Sequence, residues 1–105
     1  MSTRYTIYYK KDATYREDSN LTRNNFRNTH NFAVSFMLDG DLDDVYREMQ
    51  GEFMLDFIRE IMQKAIRVDK LFCHTSMSIG DIILDENTDT MYEVASCGFN
   101  VVRMN

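Results

Sequence analysis

Apolar residues between Leu42 and Ile66 recur at helical spacing, whereas those on either side of this tract alternate, so the chain has to fold as helices carried on a sheet. The tract holds two stripes. Leu42, Val45, Tyr46 and Met49 share one direction. Phe53, Met54, Phe57, Ile58, Ile61, Met62, Ala65 and Ile66 centre roughly 100° further round the axis. One straight helix does not bury both stripes against a single surface. Gly51 costs about 1 kcal/mol relative to alanine in a helix interior. The spacing therefore predicts two helices, or one broken helix, with the break within two or three residues of Gly51. Asp41 is a natural N-cap, with Asp43 and Asp44 in the first turn.

Alternation marks the rest. Tyr5, Ile7 and Tyr9 share one face of a strand near 4–10. Over 32–38, Phe32, Val34, Phe36 and Leu38 lie on one face and Ala33, Ser35 and Met37 on the other. Both faces are fairly apolar, which predicts an inner strand. Segments 82–84, 91–95 and 99–104 read as a meander, with turns at Asp85–Asp89 and Cys97-Gly98. The predicted class is α+β: a largely antiparallel sheet of about five strands, with two helices (or one broken helix) packed on one face, in the order β-β-α-α-β-β-β.

With 105 residues the chain reads as a single domain, long enough to bury about two-thirds of its surface without disulfides or metal. No apolar run approaches the roughly 18 residues of a membrane span, and Met1-Ser-Thr-Arg-Tyr does not resemble a secretory signal, so a cytoplasmic protein without a membrane partner is expected. In that setting Cys73 and Cys97 are expected as reduced thiols, with Cys97 a small hydrophobe packed near a turn. The net charge of −5 is uneven: residues 1–34 carry +3 and residues 35–105 carry −8. There is no proline, so turns fall to Gly, Asn and Asp.

The basic end contains a long polar loop, 12–31, whose apolar residues are Ala13, Tyr15, Leu21 and Phe26. That is too little to offset ordering at about 1–2 kcal/mol per residue, so the loop is expected either to be anchored by a few side chains or to order on binding. Arg16, Arg23 and Arg27 suit phosphates; Tyr15 and Phe26 suit a protein surface; His30 completes the candidate partner-binding set.

The densest local signal is His74-Thr-Ser-Met-Ser-Ile-Gly-Asp-Ile-Ile83. Ser76, Ser78 and Asp81 are suited to bond nearby backbone N–H groups, and Gly80 admits a positive φ before the next strand. A structural turn is the expected role, with Ser78→Ala and Asp81→Ala each costing about 1 kcal/mol. His74 and Ser76 have no identifiable third member of a triad. The run is similar to the His-Ser-Leu-Ser-Val-Ser-Asp-Val segment of YodL-like domains, found in Firmicutes and in phage and mobile-element proteins. Tyr92, the Gly98-Phe99 pair and the Tyr-rich 5–9 segment extend the resemblance. Gly80 departs from it, because the family usually has a polar residue there. The resemblance implies a small α+β domain tied to mobile elements and implies no chemistry.

No metal, cofactor or catalytic site is expected. Cys73-His74, His30 and Cys97 are too scattered for zinc. Asp39, Asp41 and Asp43 alternate like a calcium loop, but Asp44 and Gln50 stand where that loop needs Gly and Glu. The four glycines are isolated, so no phosphate-cradling loop exists. The expected function is a non-enzymatic accessory protein of phage or mobile-element type that binds a host or viral protein. The alternative is a nucleic-acid-binding module using loop 16–31. A protein partner is favoured because net charge −5 opposes approach to a polyanion. Any small homo-oligomer is left open.

Overall fold

The fold, taken from a computed structural model that describes residues 2–12 and 14–105, is built on one five-stranded antiparallel sheet. The strands are β1 (Thr3–Lys10), β2 (His30–Leu38), β3 (Ile82–Asp85), β4 (Thr90–Val94) and β5 (Phe99–Val101). The helices α1 (Leu42–Glu48) and α2 (Asp56–Arg67) lie between β2 and β3 in sequence. Class and element order are those expected. The spatial order is β2-β1-β3-β4-β5.

The helical tract breaks around Gly51. Asp41 caps α1 in a reciprocal box: its carboxylate accepts the Asp44 N–H, and the Asp44 carboxylate accepts the Asp41 N–H. The chain between the helices is tied down by the 74–81 segment, because Gly51 N–H donates to Ser76 Oγ at 2.9 Å. The stripe rotation thus becomes two short helices turned about a shared anchor.

Both helices pack on the face carrying Tyr5, Ile7, Tyr9, Val34 and Phe36, against which Val45, Met49, Ile58 and Met62 are buried. The opposite face carries Tyr8, Ile82 and Met91. It is covered by Leu21 and Phe26 from the long loop and by Val102. The loop is therefore anchored, as one of the two expectations had it. It also bonds the C-terminal segment through Arg23 N–H to the Arg103 carbonyl at 2.8 Å. Ala13 lies outside the described residues.

Three expectations are corrected. First, β2 is an edge strand; its apolar sequence reads as inner because α2 covers one face while Phe32 and Met37 stand half exposed on the other. Second, Phe32 does not share a face with Val34 and Phe36. Ile7 pairs with Val34 but Tyr8 pairs with Phe32, so Ala33 is an extra residue. Such a bulge inverts the alternation beyond it. Phe32 consequently meets Tyr8 edge-on at 6.1 Å on the loop-covered face. Third, Cys97, at the β4–β5 turn, is exposed; Cys73, between α2 and β3, is exposed too, and both thiols are free.

Candidate functional site

The turn 74–81 is organised by one buried carboxylate. Asp81 Oδ1 accepts the Lys10 N–H at 2.8 Å, at the end of β1. Asp81 Oδ2 accepts the Ser78 N–H and His74 Nε2–H, each at 2.8 Å. The end of β1 and both ends of the 74–81 turn are thereby joined on a single side chain. Ser78 enters through its backbone; its hydroxyl donates only to the Ser76 carbonyl, at 3.3 Å, instead of accepting an N–H. The Ser76 hydroxyl accepts the Gly51 N–H, so its partner lies in the helical tract, not in the turn.

Gly80 has φ +96, as its position before β3 predicts. A Cβ there would also stand 2.6 Å from the Arg16 carbonyl oxygen. The Gly80 carbonyl accepts His30 Nε2–H at 2.6 Å, which assigns the proton to Nε2 and leaves Nδ1 to accept the Thr29 hydroxyl. Burial holds the His30 imidazole below its ordinary pKa, against the opposing pull of the Gly80 carbonyl and the Asp81 charge. His30 is thus a neutral buried strut at the start of β2.

His74 and Asp81 form the geometry of a general-base dyad. The surroundings close it. The His74 ring stacks on Tyr9 with centroids 4.6 Å apart and planes 1° from parallel, and Tyr15 meets it edge-on at 5.7 Å. Its Nδ1 is buried without a hydrogen-bond partner. Among the described residues no hydroxyl or thiol is hydrogen-bonded to His74, and no group of three or more His, Cys, Asp or Glu gathers to hold a metal ion. The dyad joins β1 to the turn; it presents no reacting atom.

The candidate partner-binding residues separate. Phe26 and His30 are buried, Phe26 packing edge-on against Tyr8 at 5.0 Å, so neither offers a surface. Arg23 is half-buried and held by Asp89, to its carboxylate at 3.0 Å and its carbonyl at 2.8 Å. Arg27 lies over the Phe26 and Tyr8 rings at 5.1 and 5.7 Å. Tyr15 and Arg16 remain exposed.

A row of exposed apolar side chains lies elsewhere, on α2 and just beyond its end. Met54, Ile58, Met62 and Ala65 turn into the core, while Phe57 (53% exposed), Ile61 (42%) and, beyond the helix end, Val68 (68%) form a second row beside them. At 100° per residue these three fall within about 40° of one another. In the sequence the signal is two parallel helical series, 54-58-62-65 and 57-61-68, that together make one wide apolar stripe. α2 packs over β2, whose own Phe32 (50%) and Met37 (52%) are exposed on the other face. Exposed apolar side chains thus stand on both sides of the sheet at β2.

No family model, curated protein or solved structure matches the chain.

Proposed function

We propose that this chain is a non-enzymatic accessory protein of phage or mobile-element type that acts by binding another protein. The observation that carries the binding role is the row of exposed apolar side chains Phe57, Ile61 and Val68 along α2, which packs over β2. Two further points support the reading. Among the described residues, the His74–Asp81 dyad is covered by Tyr9 and Tyr15. Two of the three loop arginines are engaged within the fold, Arg23 with Asp89 and Arg27 over aromatic rings, which weakens the nucleic-acid alternative. The mobile-element origin rests on the resemblance over residues 74–99. None of the described helices is long and apolar enough to cross a membrane.

The test is affinity capture with the tagged chain, with and without nuclease, beside a Phe57→Ser/Ile61→Ser variant. The expected result is a captured protein that survives nuclease and is lost with the variant. Capture that depends on nucleic acid and on Arg16, and ignores the variant, would overturn the reading.

A further inference from the structure

We propose that the flank formed by β2 and α2 binds a second copy of this chain, β2 pairing antiparallel with β2 and α2 lying antiparallel to α2 across a two-fold axis. The inference rests on reading this flank as a protein-binding surface and names its occupant.

The strand comes first. Edge strands are normally guarded by charge, proline or a bulge. Residues 30–38 contain no Asp, Glu, Lys, Arg or Pro, and the bulge at Ala33 leaves 34–38, Val-Ser-Phe-Met-Leu, as regular strand. An antiparallel edge is self-complementary, because each strand offers the alternating N–H and C=O groups that the other needs. Pairing makes β2 the inner strand that its sequence describes.

The helix follows. Arg59 donates to the Gly51 and Met54 carbonyls at 2.6 and 3.1 Å, so its side of α2 faces the connection to α1. The core row of α2 lies between Arg59 and the Phe57–Ile61 row, which therefore overhangs β2 on the side away from α1. A two-fold axis normal to the sheet places the two overhanging rows against each other on the helix side. Phe32 and Met37 approach their counterparts on the opposite side.

Charge selects the occupant. At 100° per residue the charges that flank this row as its outer rim are Glu60 in the N-terminal half of α2 and Lys64 in the C-terminal half; Asp56, paired with Arg59 at 3.8 Å, and Arg67 lie further round, and Lys64 also reaches Asp69 at 3.4 Å. Antiparallel copies set the acidic half of each helix against the basic half of the other, twice over. The rim carries no net charge, so this is a place where a chain of net charge −5 approaches itself without repulsion. Five side chains about half exposed supply on the order of 500 Å² of apolar area per copy before the strand backbone is counted, against about 800 Å² in a standard interface.

The test is mass in solution by light scattering across concentration. Wild type is expected to be dimeric, and Phe57→Asp to raise the dimer dissociation constant at least about tenfold. Two rim variants decide orientation and do not touch the core: Lys64→Glu and Glu60→Lys. Each alone is expected to be monomeric, and an equal mixture to recover the dimer. The rim pair carries the test if Phe57→Asp fails to fold. A monomeric wild type overturns the proposal, and so does a dimer indifferent to both rim variants. If wild type is monomeric while Phe57→Ser/Ile61→Ser still loses a captured protein, the binding surface stands and only its occupant is wrong.

Discussion

His74 donates to the buried carboxylate of Asp81 across seven residues of turn, and Asp81 serves β1 and the turn backbone with the same two oxygens. The pair makes unequal demands on the neighbouring side chains. Asp81→Ala removes three bonds and leaves the Lys10 and Ser78 N–H groups unpaired, at about 1–3 kcal/mol for each group buried. The expected loss is roughly 2–4 kcal/mol. Ser78→Ala removes one 3.3 Å hydroxyl bond and keeps the backbone contact, so about 0.5 kcal/mol is expected. Urea unfolding of both variants checks the ratio; equal losses would mean that Asp81 is not the organising group.

Gly80 is required twice over, by φ +96 and by the 2.6 Å approach of the Arg16 carbonyl to any Cβ. Gly80→Ala is expected to cost at least about 1–2 kcal/mol. It should also displace residues 14–18, whose anchor on Lys10 Nζ lies in the same place. Amide exchange in Glu17 and Asp18 measured beside the unfolding midpoint reads both effects. An Ala variant as stable as wild type would remove the steric account.

How far the sequence could be read follows from the range of each signal. Alternation and helical spacing are local, so the five strands, the cap at Asp41 and the break at Gly51 were legible. The positive φ of Gly80 was legible for the same reason. The bulge at Ala33 was not, because an extra residue in one strand is defined by its partner, and nothing in Phe32-Ala-Val names Tyr8 and Ile7. The edge position of β2 was hidden by composition: its two apolar faces describe an inner strand. The seating of loop 12–31 is not legible from its few apolar residues, because Leu21 and Phe26 gain their hold from the sheet face of Tyr8, Ile82 and Met91, which lies far off in sequence. The His74–Asp81 pair is not legible, because an Asp before a strand describes a turn former equally well and its bond to Lys10 crosses 71 residues.

His30 sets a pH dependence of definite sign. Its pKa is lowered in the fold, chiefly by burial, so the unfolded chain takes up the proton first. The contribution of neutral His30 is complete above the unfolded value of about 6.5 and is lost as pH falls below it towards the folded value. Stability is therefore expected to drop between pH 7 and 5, and His30→Gln, which keeps a donor for the Gly80 carbonyl, is expected to flatten that drop while lowering stability at pH 7. Denaturant midpoints at three pH values decide it; an unchanged slope in the variant would assign the effect to another group.

Glu93 has the opposite sign. It lies on β4 under the long loop, 4% exposed, and its Oε2 accepts the Asp18 N–H at 2.8 Å. Burial raises its pKa, with the Asp18 and Glu17 charges adding and the Asp18 N–H opposing. A raised folded value means that stability is fully present below the unfolded value and declines as pH rises through the folded one. Glu93→Gln keeps the acceptor for Asp18 and discards the buried charge. It is expected to raise stability by about 0.5–1 kcal/mol at pH 7 and by almost nothing at pH 4. Glu93→Ala leaves the Asp18 N–H unpaired and is expected to lose about 1 kcal/mol at both. Paired urea titrations at pH 4 and 7 separate charge from hydrogen bond. A Gln variant weaker than wild type at pH 7 would show that the carboxylate holds the loop by its charge.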